Sequence, residues 1–195
     1  MSRKSLRTWI GEEPFNTVLC HEKESIPLIQ RVVYDWNPEL MIEFGTCAGG
    51  VTLLLHQYLP DIPLHTFDNA SIVSSLKKSG RMNKGHILRF QKEVFNDNVY
   101  FHVTNIFHEG KEQVLELVRS DKRKVVYCDN GKKHDEISLF GSQLNKGDLV
   151  GVHDWGYEVG WEYPGVSETL SNFEEHYMNE VFKNNNLSTR FFKRM

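Results

Sequence analysis

Leu40-Met41-Ile42-Glu43-Phe44-Gly45-Thr46-Cys47-Ala48-Gly49-Gly50-Val51-Thr52-Leu53-Leu54-Leu55 decides how the rest of this 195-residue chain reads. A short apolar run, Leu40 to Phe44, has the length and composition of a buried strand. Glycines at 45, 49 and 50 then mark a turn. Val51, Leu54, Leu55 and Tyr58 follow at helical spacing. Strand, glycine turn and helix in this order form the first half of a βαβ unit. Glycine lets the backbone turn sharply and approach a ligand closely. The helix that follows begins with N–H groups that lack intrahelical partners. The glycine spacing is not the G-x-G-x-x-G of dinucleotide sites, and no Gly-Lys-Ser/Thr follows as in a phosphate-binding P-loop.

The same alternation continues outward in both directions. A helix is expected from near Ser25, with Pro27 in its first turn and Ile26, Ile29, Val33 and Trp36 on one face, ended by Asn37-Pro38. Further strands are expected at Leu64–Asp68, Val99–Val103, Val125–Cys128 and Leu149–Val152. Helices marked by Val114, Leu117 and Val118, and by Ile137, Phe140 and Leu144, lie between the later strands. The polar stretch from Asn69 to Asn98 is expected to hold a helix around Ile87–Phe95 and part of a lid. A last helix would carry Val166, Leu170, Phe173 and Tyr177, and Leu187–Met195 reads as a closing strand. The fold class is therefore α/β: a Rossmann-like, doubly wound, mostly parallel sheet with helices on both faces. Right-handed crossovers bring the C-terminal ends of the parallel strands to one edge, where such sheets bind ligands.

Composition removes several function classes. Hydrophobic residues make up 39%, charged residues 25% and the net charge is -3, which gives no electrostatic footprint for nucleic acid. The densest basic cluster, Asp121-Lys122-Arg123-Lys124, reads as a solvated loop before a strand. Cys20, Cys47 and Cys128 are odd in number and far apart, which argues against a disulfide framework or a structural zinc site. No apolar run has the length of a membrane span, and no apolar segment follows the basic N-terminus. These features imply a cytoplasmic protein without a secretion signal.

Distinctive residues stand at all five strand ends: Glu43-Phe44-Gly45, Asp68, Asn105, Asp129 and His153-Asp154. Carboxylates converging on one edge repel one another and lose solvation unless a ligand or cation meets them. Asp129 and Asp154 are expected at neighbouring strand ends, within reach of one cation.

The run Pro38 to Thr46 with Gly49-Gly50 resembles the class I S-adenosylmethionine (SAM)-dependent methyltransferases. Within them it is most similar to the cephalosporin-hydroxylase-like and macrocin-type O-methyltransferase branch, from about Trp9 to the C-terminus. The resemblance implies methyl transfer from SAM to a hydroxyl of a small molecule, of sugar or phenolic type. It divides a single domain into a lead-in (1–38), a cofactor-binding core (39–154) and an acceptor-side segment (155–195). It places SAM against Glu43, Gly45, Thr46, Gly49, Gly50, Asp68, Asn105 and Asp129, with Asp68 on the ribose hydroxyls and Asn105 near the adenine. Relatives commonly carry a serine where this chain has Val51, so Thr52 or backbone N–H groups would hold the methionine carboxylate. The resemblance also implies a divalent metal, usually magnesium, on Asp129 and Asp154. His153 departs from the relatives, which often carry a carboxylate or small residue there; it would act as a further ligand favouring manganese, iron or zinc, as a general base, or as a packed histidine. Candidate bases are Lys132, three residues after Asp129, then His134 and His153. Trp155, Tyr157, Trp161 and Tyr163 either line an acceptor pocket or cover the sheet edge. Three other readings stay open: a non-catalytic binding or assembly protein on the same fold, a cephalosporin-hydroxylase-like enzyme, and a nucleotide-sugar or NAD protein. Methyltransferase sheets usually end in a hairpin, and only one closing strand is evident. The missing strand therefore lies elsewhere, or a partner copy completes the edge as a homo-oligomer.

Overall fold

The computed structural model describes His21, residues 25–71, Ser74, Lys92, residues 98–176 and residues 187–195. The expected helix at Ile87–Phe95, the lid and Tyr177 lie essentially outside these residues. The described chain runs α1 (Ser25–Trp36), β1 (Leu40–Phe44), α2 (Gly50–Tyr58), β2 (Leu64–Asp68), β3 (Val99–Val103), α3 (Lys111–Arg119), β4 (Lys124–Cys128) and α4 (Lys133–Phe140). A 3-10 turn (Gly141–Gln143) leads on to β5 (Leu149–Val152), α5 (Pro164–Leu170), β6 (Phe173–Glu175) and β7 (Arg190–Arg194). Helix α1 stops where Asn37 takes a left-handed φ of 48° and Pro38 follows.

Among the described residues the sheet has seven strands in the order β3-β2-β1-β4-β5-β7-β6. β1 to β5 pair in parallel, and β7 runs antiparallel to both β5 and β6. The chain builds outward from β1 to β3, then returns to place β4 on the other side of β1. The crevice between the ends of β1 and β4 is the topological switch point, where open α/β sheets take their ligands.

β1 is buried along its whole length, as a central parallel strand must be. Its alternate side chains feed two separate cores. Met41 joins Ile29, Val32, Leu54 and Leu55 from α1 and α2, whereas Leu40, Ile42 and Phe44 join Val114, Val118, Ile137 and Phe140 from α3 and α4. Each such side chain contributes about 1.5–3 kcal/mol by leaving water. Two firmly packed layers thus hold the strand ends in place.

Three details differ from the sequence reading. Helix α4 ends at Phe140, and Leu144 lies beyond the 3-10 turn in extended backbone instead of on the helix. Helix α5 ends at Leu170, and Phe173 belongs to β6 instead of a continuing helix. β6 pairs with β7 through Phe173 and Arg194, so the strand missing from the sequence reading comes from this chain. Lys124 is no loop residue. It is fully buried in β4, and its ammonium meets Asp148 Oδ2 at 2.7 Å.

Candidate active site

Gly45 takes a φ of +93°, and a Cβ added there would fall 2.3 Å from the carbonyl oxygen of Asp129. Glycine is thus required by the close approach of the β1 turn to the end of β4. Glu43, two residues earlier, is fully buried beneath this turn. Thr52, in the first turn of α2, donates its hydroxyl to Glu43 Oε2 at 2.6 Å. Oε1 of the same carboxyl is buried without a hydrogen-bond partner. Burial drives the Glu43 carboxyl up to about pKa 7 against the Thr52 and Thr66 hydroxyls, and the nearby charges of Asp129 and Asp68 add to the rise. Thr46 and Thr66 share a short hydroxyl contact alongside. Gly49 sits at φ 80° as N-cap of α2 and supplies no side-chain cap.

Asp68 closes β2 and ties the turn in place. Its Oδ2 accepts the Cys47 N–H at 2.7 Å, and its Oδ1 accepts the Ala70 N–H at 2.9 Å. Each carboxylate oxygen keeps a second acceptor site. Cys47 is held at φ 47°, a conformation uncommon for a residue with a side chain. At the next strand end, Asn105 Oδ1 accepts the Phe107 N–H at 2.9 Å, an Asx turn. The turn uses its carbonyl and leaves the amide N–H groups as its outward donors.

The ends of β4 and β5 carry the densest charge. Asp129 and Asp154 converge as expected, and the cation between them is Lys133. Its ammonium lies 2.9 Å from Asp154 Oδ2, 2.8 Å from Glu158 Oε2 and 3.6 Å from Asp129 Oδ1. The Lys133 side chain is only 4% exposed. Burial works against its charge, but the bonds to Glu158 and Asp154 with the charge of Asp129 outweigh it and hold the lysine above its ordinary value. His153 Nδ1 approaches the same two aspartates, 3.0 Å from Asp129 Oδ1 and 3.3 Å from Asp154 Oδ2. Asp154 takes a φ of 57°, which returns the chain so that Glu158 reaches Lys133.

His21 completes the cluster. Its ring stacks on His153 with centroids 3.8 Å apart and planes 17° from parallel. Its Nε2 lies 2.9 Å from the Tyr127 hydroxyl and 3.6 Å from Asp129 Oδ2. Neither His21 nor Lys133 emerges from the sequence reading. His21 precedes every element legible there. Lys133 begins the helix after the β4 loop, and its position beside Lys132 gives no local signal that separates the two.

Lys132 takes the N-cap position of α4, exposed, with its ammonium 5.7 Å from the Phe107 ring centroid. His134 stacks on Tyr163 at 5.0 Å. The structure does not draw either into the Asp129–His153–Lys133 group. Trp155 and Trp161 pack edge to face and both rest against Phe192 of β7, so they cover the sheet. Tyr157 is 79% exposed.

No protein-family model and no curated protein matches the sequence. Solved structures do share the fold. A Staphylococcus aureus protein assigned by name to the caffeoyl-CoA O-methyltransferases superposes with a TM-score of 0.58 over 100% of this chain and 93% of its own, at 14% identity. The SAH-bound methyltransferase PaMTH1 of Podospora anserina gives 0.57 at 11% identity, covering 91% and 80%. The O-methyltransferase TomG of Streptomyces achromogenes, in complex with SAM, gives 0.52 at 13% identity, covering 94% and 90%. The seven-stranded sheet is the methyltransferase form of the Rossmann-like fold.

Proposed function

We propose that this chain binds SAM at the β1–β2 end of the crevice and transfers its methyl group to the hydroxyl of a small molecule. The observation that carries this reading is Glu43 Oε1, a buried carboxyl oxygen without a partner directly under the glycine turn. A buried unmatched acceptor costs free energy that an incoming donor recovers. The α-ammonium group of SAM is such a donor. The Thr52 hydroxyl is already committed to Glu43, so the methionine carboxylate falls to the uncapped N–H groups that begin α2. Asp68 has acceptor sites left for two ribose hydroxyls, and the Asn105 amide suits an adenine edge.

When bound, SAM supplies an electrophilic methyl carbon on a sulfonium, whose sulfur keeps the bonding pair and leaves as a thioether when the acceptor oxygen attacks. The chain must take the proton from that hydroxyl. His153 is the best suited of the expected bases. Its Nδ1 is held by Asp129 and Asp154, which favours the Nδ1–H tautomer and fixes the orientation of the ring. Lys132 lies exposed near Phe107, and His134 stacks on Tyr163 beside Asp135, both outside the group formed by His153, Asp129 and Asp154.

The residues present do not suit a divalent ion. Magnesium calls for oxygen ligands in an open octahedral site, yet a lysine ammonium lies between Asp129 and Asp154. His21, Asp129 and His153 offer ligand atoms within 4.8 Å of one another. A metal sits in the plane of each imidazole that binds it, about 2.1 Å from the nitrogen. Two nearly parallel stacked planes share no such point. The same stacking weighs against a hydroxylase built on these side chains.

The test is a thermal-shift comparison with SAM, SAH, NAD and a nucleotide sugar, followed by transfer of labelled methyl to a panel of phenols and sugars. Stabilisation by SAM and SAH alone, with transfer, supports the reading. Stabilisation without transfer to any acceptor leaves a SAM-binding module, and stabilisation by NAD alone removes the proposal.

A further inference from the structure

The geometry points to Lys133 as a built-in cation that takes the place of a divalent metal between Asp129 and Asp154. Three carboxylates gather at this end of the crevice, and two of them are largely shielded from water, at 17% and 29% side-chain exposure for Asp129 and Asp154. Such a pair requires a counter-charge. In this chain the charge is covalently attached. Lys133 opens helix α4, four residues beyond Asp129, and its stem is buried so that the ammonium has one direction to go. Its contacts to Asp154 and Glu158 are at hydrogen-bond distance, and the one to Asp129 is a longer ion pair.

An ammonium and a metal ion act differently in such a site. A metal offers open coordination positions to an acceptor oxygen and lowers the pKa of the hydroxyl it binds. The Lys133 ammonium directs its donors to protein carboxylates, so it holds Asp129 and Asp154 in place without activating the hydroxyl itself. Lys133 is thus a positioning residue. It fixes the two aspartates that orient the His153 ring, and it clamps the segment after β5 onto α4 through Glu158. This inference rests on the methyl-transfer reading for the meaning of the dyad, but the exclusion of metal is independent of that reading.

Manganese(II), followed by the electron paramagnetic resonance signal of the free ion, tests it on the full chain. The wild type and Lys133→Arg are expected to leave the free-ion signal unchanged at stoichiometric manganese. Lys133→Ala, and its closer shape match Lys133→Met, uncover two carboxylates and are expected to bind one ion at least about 100-fold more tightly. Adding Asp154→Asn to either variant should remove that binding. Wild-type binding abolished by Asp154→Asn or by His21→Ala overturns the inference, as does a folded Lys133→Ala that binds no better than wild type. Should both neutral variants fail to fold, the wild type alone decides, because tight binding there contradicts the claim and its absence supports it. SAH titrated into the same samples reads the functional proposal separately. Wild type that binds neither ligand removes the methyl-transfer reading while leaving Lys133 as the site's cation.

Discussion

Thr52 donates its hydroxyl to one oxygen of Glu43 and leaves the other oxygen of that carboxyl buried without a partner. One side chain thus carries both a folding cost and a ligand-binding opportunity.

The cost is measurable as a pH dependence. Burial pushes the Glu43 carboxyl of the folded chain up to about 7, above the ordinary glutamate value of 4.5. The folded state therefore binds more protons between those values, and the Glu43 contribution to stability falls as pH rises through 7. Glu43→Gln is expected to stabilise the ligand-free protein at pH 8 by on the order of 2–3 kcal/mol, with little gain near pH 4.5. Urea unfolding of both proteins at the two pH values checks this.

Loss of His153 should affect turnover more than binding. His153→Gln is expected to lower kcat by about 10²–10⁴-fold and to remove the acidic limb of the pH–rate profile. Asp129→Asn should shift the same profile, because it disturbs the ring's orienting partner. Steady-state kinetics of methyl transfer, with SAH affinity measured in parallel, separates this outcome from a loss of cofactor binding.

At Gly45 the expectation is structural. A methyl group there meets the Asp129 backbone, and φ +93° is unfavourable for any other residue. Gly45→Ala is expected to destabilise the fold by about 1–3 kcal/mol or more, read as a lower urea midpoint. Gly147, also at positive φ but with open space around its missing Cβ, serves as the control and should lose less.

His65 and His102 stand side by side on β2 and β3, with Nδ1 of the first 3.1 Å from Nε2 of the second. Burial, then the neighbouring His102 and Lys122, lower the His65 pKa to about 4. The unfolded chain therefore takes up this proton first as pH falls below the ordinary histidine value of 6.5. Stability from His65 is present above that value and declines toward pH 4. His65→Gln should flatten this part of the slope, as measured by unfolding midpoints at pH 7, 5.5 and 4.5.

Much of this architecture is written in local pattern. Leu40–Phe44, Leu64–Asp68, Val99–Val103 and Leu149–Val152 are strands with the bounds that their apolar runs imply. The central parallel strands β1 and β5 leave such runs because they are buried on both faces, whereas the edge strand β3 exposes Tyr100 and Val103. β6 is not legible, since it is three residues long and Phe173 continues the spacing of Val166 and Leu170. The helix nevertheless stops at Leu170, and Phe173 pairs with Arg194. The convergence of Asp129 with Asp154 follows from strand order alone. The lysine between them does not, because Lys132 stands outside the helix as its exposed N-cap and Lys133, the first helical residue, is buried, a difference that adjacent lysines do not reveal. His21 reaches the site through tertiary packing, which no local spacing encodes.

Calorimetric titration with SAH, at pH 7.5 and without added metal, tests the central claim most directly. Wild-type protein is expected to bind one SAH per chain. Glu43→Gln and Asp68→Ala, each folded by circular dichroism, should weaken binding at least about tenfold, the equivalent of one charge-assisted hydrogen bond. A folded wild type that takes up no SAH, or both variants binding it as tightly as wild type, would contradict a cofactor held between the glycine turn and Asp68.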